Sequence, residues 1–317
     1  MESVFLDFET LDRGDIDVSG LLHVLPGTKL FDSTANSELS VRIKDARFVI
    51  LNKVSLTRES LAHAPQLKLV CLAATGTDNV DLEAARSLGI GVCNIRAYCT
   101  ASVVQHVFAM ILSLTQHLGQ YHDLLKGGAW KDSPQFCMLD YPIRELEGRT
   151  LGIVGFGELG QAVARMGEAF GMRILVSNRP GGAPRDGRID LGRVLAEADV
   201  LSLHCPLTPQ TAGLLGAAQL RQMKPDALLI NTARGGLVDA DALAKQLRRG
   251  ALGGAGIDVL TEEPPISGNV LVDEDIPNLI LTPHIAWAAR ESRQRALDEI
   301  VANIRDFQNG GQRGRVV

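Results

Sequence analysis

The sequence predicts an α/β fold built on parallel sheets, and three observations support this. Short apolar stretches alternate with helical stretches along the 317 residues, which favours parallel strands. Glycine is frequent, with 32 residues, whereas aromatic residues make up only 4 %, and this composition suits tight turns and close backbone approach. At roughly 150 residues per domain, the length predicts two domains.

The first part of the chain yields the first set of elements. Strands are predicted at 4–6, 48–51, 69–72 and 90–93, with a short helix at 81–88. A long apolar helix is predicted over 101–118. Polar residues interrupt this helix, so we expect it to be buried in the protein rather than to cross a membrane.

A second and more regular series begins at Thr150. Strands are predicted at 151–154, 173–177, 200–203, 227–231, 255–259 and 279–281. Helices are predicted at 158–170, 191–197, 217–223 and 240–249, and a last one at 290–307. Six strands with intervening helices are what a doubly wound dinucleotide-binding domain requires.

Composition and charge exclude several classes of function. Lys and Arg number 32 and Asp and Glu 37, a net charge of −5, which argues against a nucleic-acid partner. No apolar run reaches the length of a membrane span, and residues 1–7 do not resemble a signal peptide. The five cysteines are odd in number and lack C-x-x-C spacing. We therefore expect a cytoplasmic protein with reduced thiols and no metal site.

A glycine-rich loop follows the strand at 151–154. Gly155, Gly157 and Gly160 fit the pattern G-x-G-x-x-G, with a helix after them. The first glycine permits a sharp turn, the second lets a pyrophosphate approach, and the third lets helix and strand pack closely. Backbone N–H groups at Glu158 and Leu159 open the helix and would hold phosphate. Because strand and helix flank the loop, a dinucleotide site is favoured over a plain glycine-rich turn.

The end of the next strand bears on the choice of cofactor. Domains that bind NAD usually carry an acidic residue there, which contacts the ribose hydroxyls. This chain has Asn178 and Arg179 instead. An arginine can pair with a 2′-phosphate that a carboxylate would repel. The sequence therefore predicts a preference for NADP(H), with NAD(H) still possible; the alternative is that Arg179 is only a solvated surface charge.

Three ionisable residues follow strand ends in this second series. They are Arg234, Glu263 and His284. Ligands bind outside the carboxyl ends of strands in open α/β sheets, so all three are predicted at the same rim as the glycine loop. A histidine beside a carboxylate can deliver the proton, and an arginine can bind a carboxylate, in hydride transfer to a 2-keto acid. Each residue alone would more often be structural, and the combination carries the prediction.

These residues stand in longer strings that resemble a known family, the D-isomer-specific 2-hydroxyacid dehydrogenases. The resemblance covers nearly the whole chain. The strings that carry it are residues 155–160, 204–208, 231–235, 256–264 and 282–284; residues 4–7, 133–142 and 286–288 resemble the glycerate dehydrogenase (hydroxypyruvate reductase) branch.

The resemblance implies a domain division and a set of roles. Both ends of the chain, 1–98 and 287–317, would form a discontinuous substrate domain, and 99–286 an inserted Rossmann domain that binds NAD(P). His284 would be the acid–base residue with Glu263 as its partner, and Arg234 would bind substrate. Further substrate contacts are implied for Lys53, Thr75 and Gly76. Further cofactor contacts are implied for His204, Pro206, Thr232, Ala233, Asp258 and His284.

The expected activity is reduction of hydroxypyruvate to D-glycerate, and of glyoxylate to glycolate, by a homodimer. One alternative is another D-2-hydroxyacid dehydrogenase, of D-lactate or broad-range type, because the sequence does not reveal the volume of the pocket. A second alternative is a cofactor-sensing binding protein that resembles the corepressor branch of the family. Little sequence follows the last predicted helix, which disfavours that branch because its members carry long tails.

Overall fold

The computed structural model describes residues 3–179 and 181–317, and the chain forms two compact units. The first unit comprises Met1–Cys99 and Trp287–Val317, and the second comprises Thr100–Ala286. The second unit is therefore inserted into the sequence of the first. Among the described residues, no helix has the length and apolar character needed to cross a membrane.

The elements alternate as an α/β fold requires. The strands are β1 (Ser3–Phe5), β2 (Lys29–Leu30), β3 (Phe48–Leu51), β4 (Leu69–Leu72), β5 (Gly91–Cys93), β6 (Thr150–Val154), β7 (Arg173–Val176), β8 (Val200–Leu203), β9 (Leu228–Asn231), β10 (Gly254–Ile257) and β11 (Leu279–Leu281). The helices are α1 (Ser19–Val24), α2 (Asn36–Ile43), α3 (Arg58–Ala62), α4 (Leu82–Ser87), α5 (Thr100–Thr115), α6 (Leu118–Lys126), α7 (Glu158–Ala169), α8 (Leu191–Glu197), α9 (Ala217–Leu220), α10 (Ala240–Arg248), α11 (Val270–Asp273) and α12 (Arg290–Gln308). Short 3₁₀ turns lie at Phe8–Thr10 and Gly235–Leu237.

The first unit contains a five-stranded parallel sheet in the order β2-β1-β3-β4-β5. Alternate residues of a strand point to opposite faces. In β3, Val49 and Leu51 enter one apolar core, and Phe48 and Ile50 enter the other. Because both of their faces are buried, the central strands β3 and β4 are continuous apolar runs, as is typical of parallel sheets.

The second unit contains a six-stranded parallel sheet in the order β11-β10-β9-β8-β6-β7. Helix α5 packs against β9 and β10, α7 packs against β6 and β7, and α8 packs against β6. All strands run in one direction, so the loops after their carboxyl ends lie along one edge. The predicted α/β class with two doubly wound parallel sheets is thereby confirmed.

The long helix predicted over 101–118 is wrong at its end. Helix α5 stops at Thr115, and His117 adopts a left-handed conformation with φ 51° before α6 begins. A left-handed residue cannot continue a right-handed helix. The sequence pattern also did not predict β2, which has only two residues, or the helices α1, α2, α3, α6 and α11.

Candidate active site

The carboxyl edge of the second sheet collects the residues predicted for the cofactor and for catalysis. Gly155 follows β6, His204 follows β8 and Arg234 follows β9. Asp258 directly follows β10, and His284 follows β11. Parallel topology places these loops along one rim, where α/β proteins bind their ligands.

The glycine loop leaves space at one position and none at two others. A Cβ on Gly155, whose φ is +94°, would lie 2.5 Å from the backbone N of Cys205. A Cβ on Gly160 would collide with the carbonyl oxygen of Gly155. A Cβ on Gly157 would meet nothing within 4 Å. The open space at Gly157 lies at the start of α7, where unpaired N–H groups and the helix dipole favour phosphate.

His284 and Glu263 form a direct pair. The Nδ1 atom of His284 lies 2.5 Å from Oε2 of Glu263. The other carboxylate oxygen accepts the N–H of Leu260 at 2.8 Å, which fixes the orientation of the carboxylate. Since a carboxylate accepts here, Nδ1 carries the proton, and Nε2 is the nitrogen through which a proton would pass. His284 has φ 56°, a conformation that L-residues rarely adopt outside functional or turn positions.

Asp258 orders the segment that carries His284. It is 1 % exposed. Its Oδ1 accepts from the Thr282 hydroxyl at 2.5 Å and from the Ile285 N–H at 2.9 Å, and its Oδ2 accepts from the Ala286 N–H at 2.9 Å. Its backbone carbonyl accepts the His284 N–H at 2.8 Å. These bonds fix the chain on both sides of His284 and give Asp258 a positioning role that the sequence did not suggest. Direct contact of Asp258 with the cofactor stays a prediction.

The turn that carries Arg234 is fixed by Asn231. The side chain of Asn231 donates to the carbonyl of Arg234 at 2.9 Å and accepts the Ala233 N–H at 3.1 Å. A Cβ on Gly235 would collide with the carbonyl group of Leu260. Only glycine therefore lets this turn approach the loop that carries Glu263. Gly235 was not singled out from the sequence, although it directly follows Arg234 in the motif.

Two buried polar atoms on the same edge have no hydrogen-bond partner within the described part of the chain. They are Nδ1 of His204 and Oγ1 of Thr232. The Nε2 atom of His204 lies 2.8 Å from the Ser202 hydroxyl. Desolvation of the ring lowers the pKa of His204 to about 4, so the imidazole is neutral at physiological pH. Buried polar atoms normally have partners, so these two atoms, together with the open Gly157, fit a dinucleotide ligand.

The loop after β7 contains two further arginines, Arg185 and Arg188, together with Asp186 and Asp190. The side-chain oxygen of Asn178 accepts the Arg185 N–H at 3.1 Å, which curls the loop back on itself. The guanidinium carbon of Arg188 lies 5.6 Å from the ring centre of Phe156, within the glycine loop. Arg179 is exposed; Pro180, beside it, lies outside the described residues. The signal that could have found Arg185 and Arg188 is the recurrence of arginine within ten residues.

The remaining predicted substrate residues lie at the carboxyl edge of the first sheet. Lys53 follows β3, and Thr75 and Gly76 follow β4. The side-chain amide of Asn79 donates to the carbonyl oxygens of Asn52 at 3.2 Å and Val54 at 2.8 Å. The two loops are therefore bonded to each other within the first unit.

Fold and loop geometry define a dinucleotide-binding α/β protein with a His–carboxylate pair on the binding edge. Residues 108–286 match the family described as D-isomer specific 2-hydroxyacid dehydrogenase, NAD binding domain. The chain is 44 % identical over 308 residues to glycerate dehydrogenase of Methylorubrum extorquens, covering 97 % of this chain and 96 % of that protein. It is 36 % identical over 317 residues to hydroxypyruvate reductase of Blautia hydrogenotrophica, with 98 % of each chain covered.

Among solved structures, the TT0316 protein of Thermus thermophilus superposes with a TM-score of 0.86 at 34 % identity, over 100 % of both chains. The chain therefore belongs to the D-isomer-specific 2-hydroxyacid dehydrogenase family. It is an oxidoreductase with a Rossmann-type domain that binds a nicotinamide cofactor.

Proposed function

We propose that this enzyme reduces small 2-keto acids with NADPH, hydroxypyruvate to D-glycerate foremost and glyoxylate to glycolate as well. The observation that carries the proposal is the His284–Glu263 pair, at 2.5 Å, on the edge that also carries the glycine loop. The similarity to glycerate dehydrogenase and hydroxypyruvate reductase supports the choice of substrate. Glyoxylate carries the same carboxylate and carbonyl without the hydroxymethyl group.

The protein's own groups account for the charge changes in this reaction. A bound reduced nicotinamide would supply the hydride for the keto carbon. His284 then delivers its Nε2 proton to the carbonyl oxygen, and the product is the alcohol. Glu263 holds the ring and stabilises the imidazolium before that transfer. Arg234 binds the substrate carboxylate and polarises the carbonyl.

The cofactor is held by residues of the second unit in this proposal. The N–H groups at Gly157, Glu158 and Leu159 would face the pyrophosphate. His204, Pro206, Thr232, Ala233 and Asp258 would line the remainder. In the first unit, Lys53 and the backbone N–H groups of Thr75 and Gly76 would hold the substrate carboxylate.

A keto-acid panel followed at the absorbance of the reduced cofactor tests the activity. Hydroxypyruvate is expected to give the highest kcat/KM, followed by glyoxylate. A higher value with pyruvate would make the enzyme a D-lactate or broad-range type. A protein that binds NADPH but turns over none of the acids would be a cofactor-sensing binding protein.

A preference for NADPH rests on the charge of the loop after β7. Domains that bind NAD usually carry an acidic residue at the end of this strand, whereas this chain has Asn178 there. Three arginines lie in the same loop: Arg179, Arg185 and Arg188. Arg179→Ala should raise the KM for NADPH by about tenfold and leave that for NADH unchanged. The control is Arg193→Ala, which removes a surface arginine paired with Glu197 at 2.6 Å. Equal or better use of NADH by the wild type would contradict the preference.

We also infer a homodimer in a reducing cytoplasm. Large apolar side chains are exposed on residues 118–143 of the second unit, with Phe136 90 % and Leu139 81 % exposed. Such a surface is typical of an interface. Sedimentation analysis should show a dimer, and the double variant Phe136→Asp, Leu139→Asp should be monomeric. Dimers of unchanged stability in that variant would place the interface elsewhere.

A further inference from the structure

We propose that Asp7 is a positioning residue for the substrate carboxylate, acting through the loop that carries Lys53. Asp7 follows β1 and is 4 % exposed. Its Oδ1 accepts the N–H of Asn52 at 2.8 Å. Its Oδ2 accepts the N–H groups of Lys53 at 2.6 Å and Val54 at 3.1 Å. One buried carboxylate thus binds three consecutive residues of the neighbouring loop. The inference rests on the proposed reduction of 2-keto acids.

This arrangement fixes the conformation of the Lys53 loop. Hydrogen bonds to an ionised acceptor are stronger than neutral ones. Strand β1 pairs with β3, and the Leu6 N–H donates to the carbonyl of Ile50 at 2.9 Å. Asp7 is therefore held by a rigid sheet, and the loop after β3 is held by Asp7.

The Lys53 loop is in turn bonded to the loop that contains Thr75 and Gly76. Asn79 donates to the carbonyls of Asn52 and Val54, and its own carbonyl accepts the Leu56 N–H at 2.8 Å. On its far side, the Thr75 carbonyl accepts from the Asn94 side chain at 2.7 Å. A shift of residues 52–54 would thus move Asn79, which lies three residues beyond the Gly76 N–H that we assign to the substrate carboxylate.

Burying the Asp7 carboxylate costs free energy, and a fold that did not need this side chain could avoid the cost. Burying an ionised carboxylate is unfavourable unless hydrogen bonds compensate. Asp12, in the same unit, accepts the N–H groups of Gly14, Asp15 and Ile16 at 2.9, 3.1 and 3.2 Å with one side-chain oxygen. Its bonds are local to one turn, whereas those of Asp7 span 45 to 47 residues and reach the substrate edge.

Asp7→Asn and Asp12→Asn are therefore a matched pair of variants. In Asp7→Asn an amide NH₂ replaces one acceptor oxygen, and the Lys53 loop loses its fixed position. We expect the KM for hydroxypyruvate and the inhibition constant for oxamate, a 2-keto acid isostere whose amide carbonyl is not reduced, to rise together by about tenfold. The kcat should change by less than about twofold, since the acid–base pair is untouched. NADPH affinity, measured by fluorescence, should be unchanged. Asp12→Asn should leave all four constants unchanged.

The outcomes separate the two levels of proposal. A wild type that reduces no 2-keto acid overturns the proposed function and this inference with it. An active wild type, with Asp7→Asn altering only the unfolding temperature and not KM or oxamate binding, overturns this inference alone. Should Asp7→Asn fail to fold, Asp7→Glu keeps the carboxylate but displaces the oxygens that accept the N–H groups of residues 52–54. An unchanged KM and an unchanged inhibition constant for oxamate in that variant would overturn the inference.

Discussion

At the carboxyl edge of each sheet, a buried aspartate orders the loop after a neighbouring strand, and the two ordered loops carry different functional groups. In the first unit, Asp7 follows β1 and accepts bonds from the loop after β3, the neighbouring strand. In the second unit, Asp258 follows β10 and accepts bonds from the segment after β11, again the neighbouring strand. Each buried carboxylate accepts at least three hydrogen bonds from the loop that it orders, which compensates for its burial.

The difference lies in what the ordered loop carries. The loop held by Asp7 carries backbone N–H groups and the side chain of Lys53, which are donors for an anion. The segment held by Asp258 carries His284 in a left-handed conformation, paired with Glu263, and histidine is the side chain that most often acts as a general acid. The first edge is thus suited to binding an anion and the second to transferring a proton.

The largest effect should come from removing that proton donor. His284→Ala is expected to lower kcat by about 10³-fold, within the range for general acid catalysis. Steady-state kinetics with hydroxypyruvate and NADPH measure it, and fluorescence titration should show nearly unchanged NADPH binding. His63→Ala, which removes an exposed histidine bonded to the carbonyl of Glu59 at 2.7 Å, is the control. Near-normal turnover in His284→Ala would remove the catalytic distinction between the two edges.

The next effect separates the two aspartates directly. Asp258→Asn should lower kcat by about 10²-fold, because misplacing the His284 segment costs alignment in the transition state. Its effect on KM should be small, the reverse of the pattern expected for Asp7→Asn. Full kinetic constants for both variants make the comparison. If Asp258→Asn raised KM and left kcat unchanged, the idea that Asp7 supports substrate binding and Asp258 supports catalysis would be wrong.

Much of the fold was accessible from local pattern. The strands at 48–51, 69–72, 200–203 and 279–281 have the predicted bounds. For β3 and β4 the reason is that a strand buried on both faces is an unbroken apolar run. Strand β2 was not predicted because its two residues form no recognisable pattern; they become a strand by pairing with Val4 and Phe5. The break after Thr115 was not predicted because its cause is the left-handed backbone at His117, a conformation more typical of glycine than of histidine.

The residues of the candidate site likewise fall into those that the sequence could suggest and those that it could not. The glycine loop and the order of Arg234, Glu263 and His284 follow from residue type and strand position, so the sequence alone suggested them. The bonds of Asp7 and Asp258 join positions 24 to 47 residues apart. Such partnerships arise only once strands are placed side by side. Gly235 shows the same limit, since the need for glycine comes from Leu260 on another loop.

A tenfold effect should follow from filling the open space on the second edge. Gly157→Ala is expected to fold normally, since its Cβ meets nothing within 4 Å, and to weaken NADPH binding by about tenfold through contact with the pyrophosphate. Gly160→Ala is the contrasting variant, because its Cβ would collide with a carbonyl oxygen, and it should lose thermal stability. Isothermal titration and thermal unfolding measure the pair. Unchanged NADPH affinity in Gly157→Ala would show that the cofactor does not use this space.

The last effect concerns acid stability and should arise from His204, which lies in the second unit. Its pKa is lowered to about 4 in the folded protein, against about 6.5 when unfolded. The buried neutral ring contributes its full stability above pH 6.5, and this is lost progressively as the pH falls toward 4. Between pH 7 and pH 5 the loss is about 2 kcal/mol, or about 4–8 °C in unfolding temperature. His204→Gln, measured without cofactor at both pH values, should lack this part of the decline. An identical decline in wild type and variant would show that His204 is already solvated in the folded protein, and the second edge would then owe its acid sensitivity to other groups.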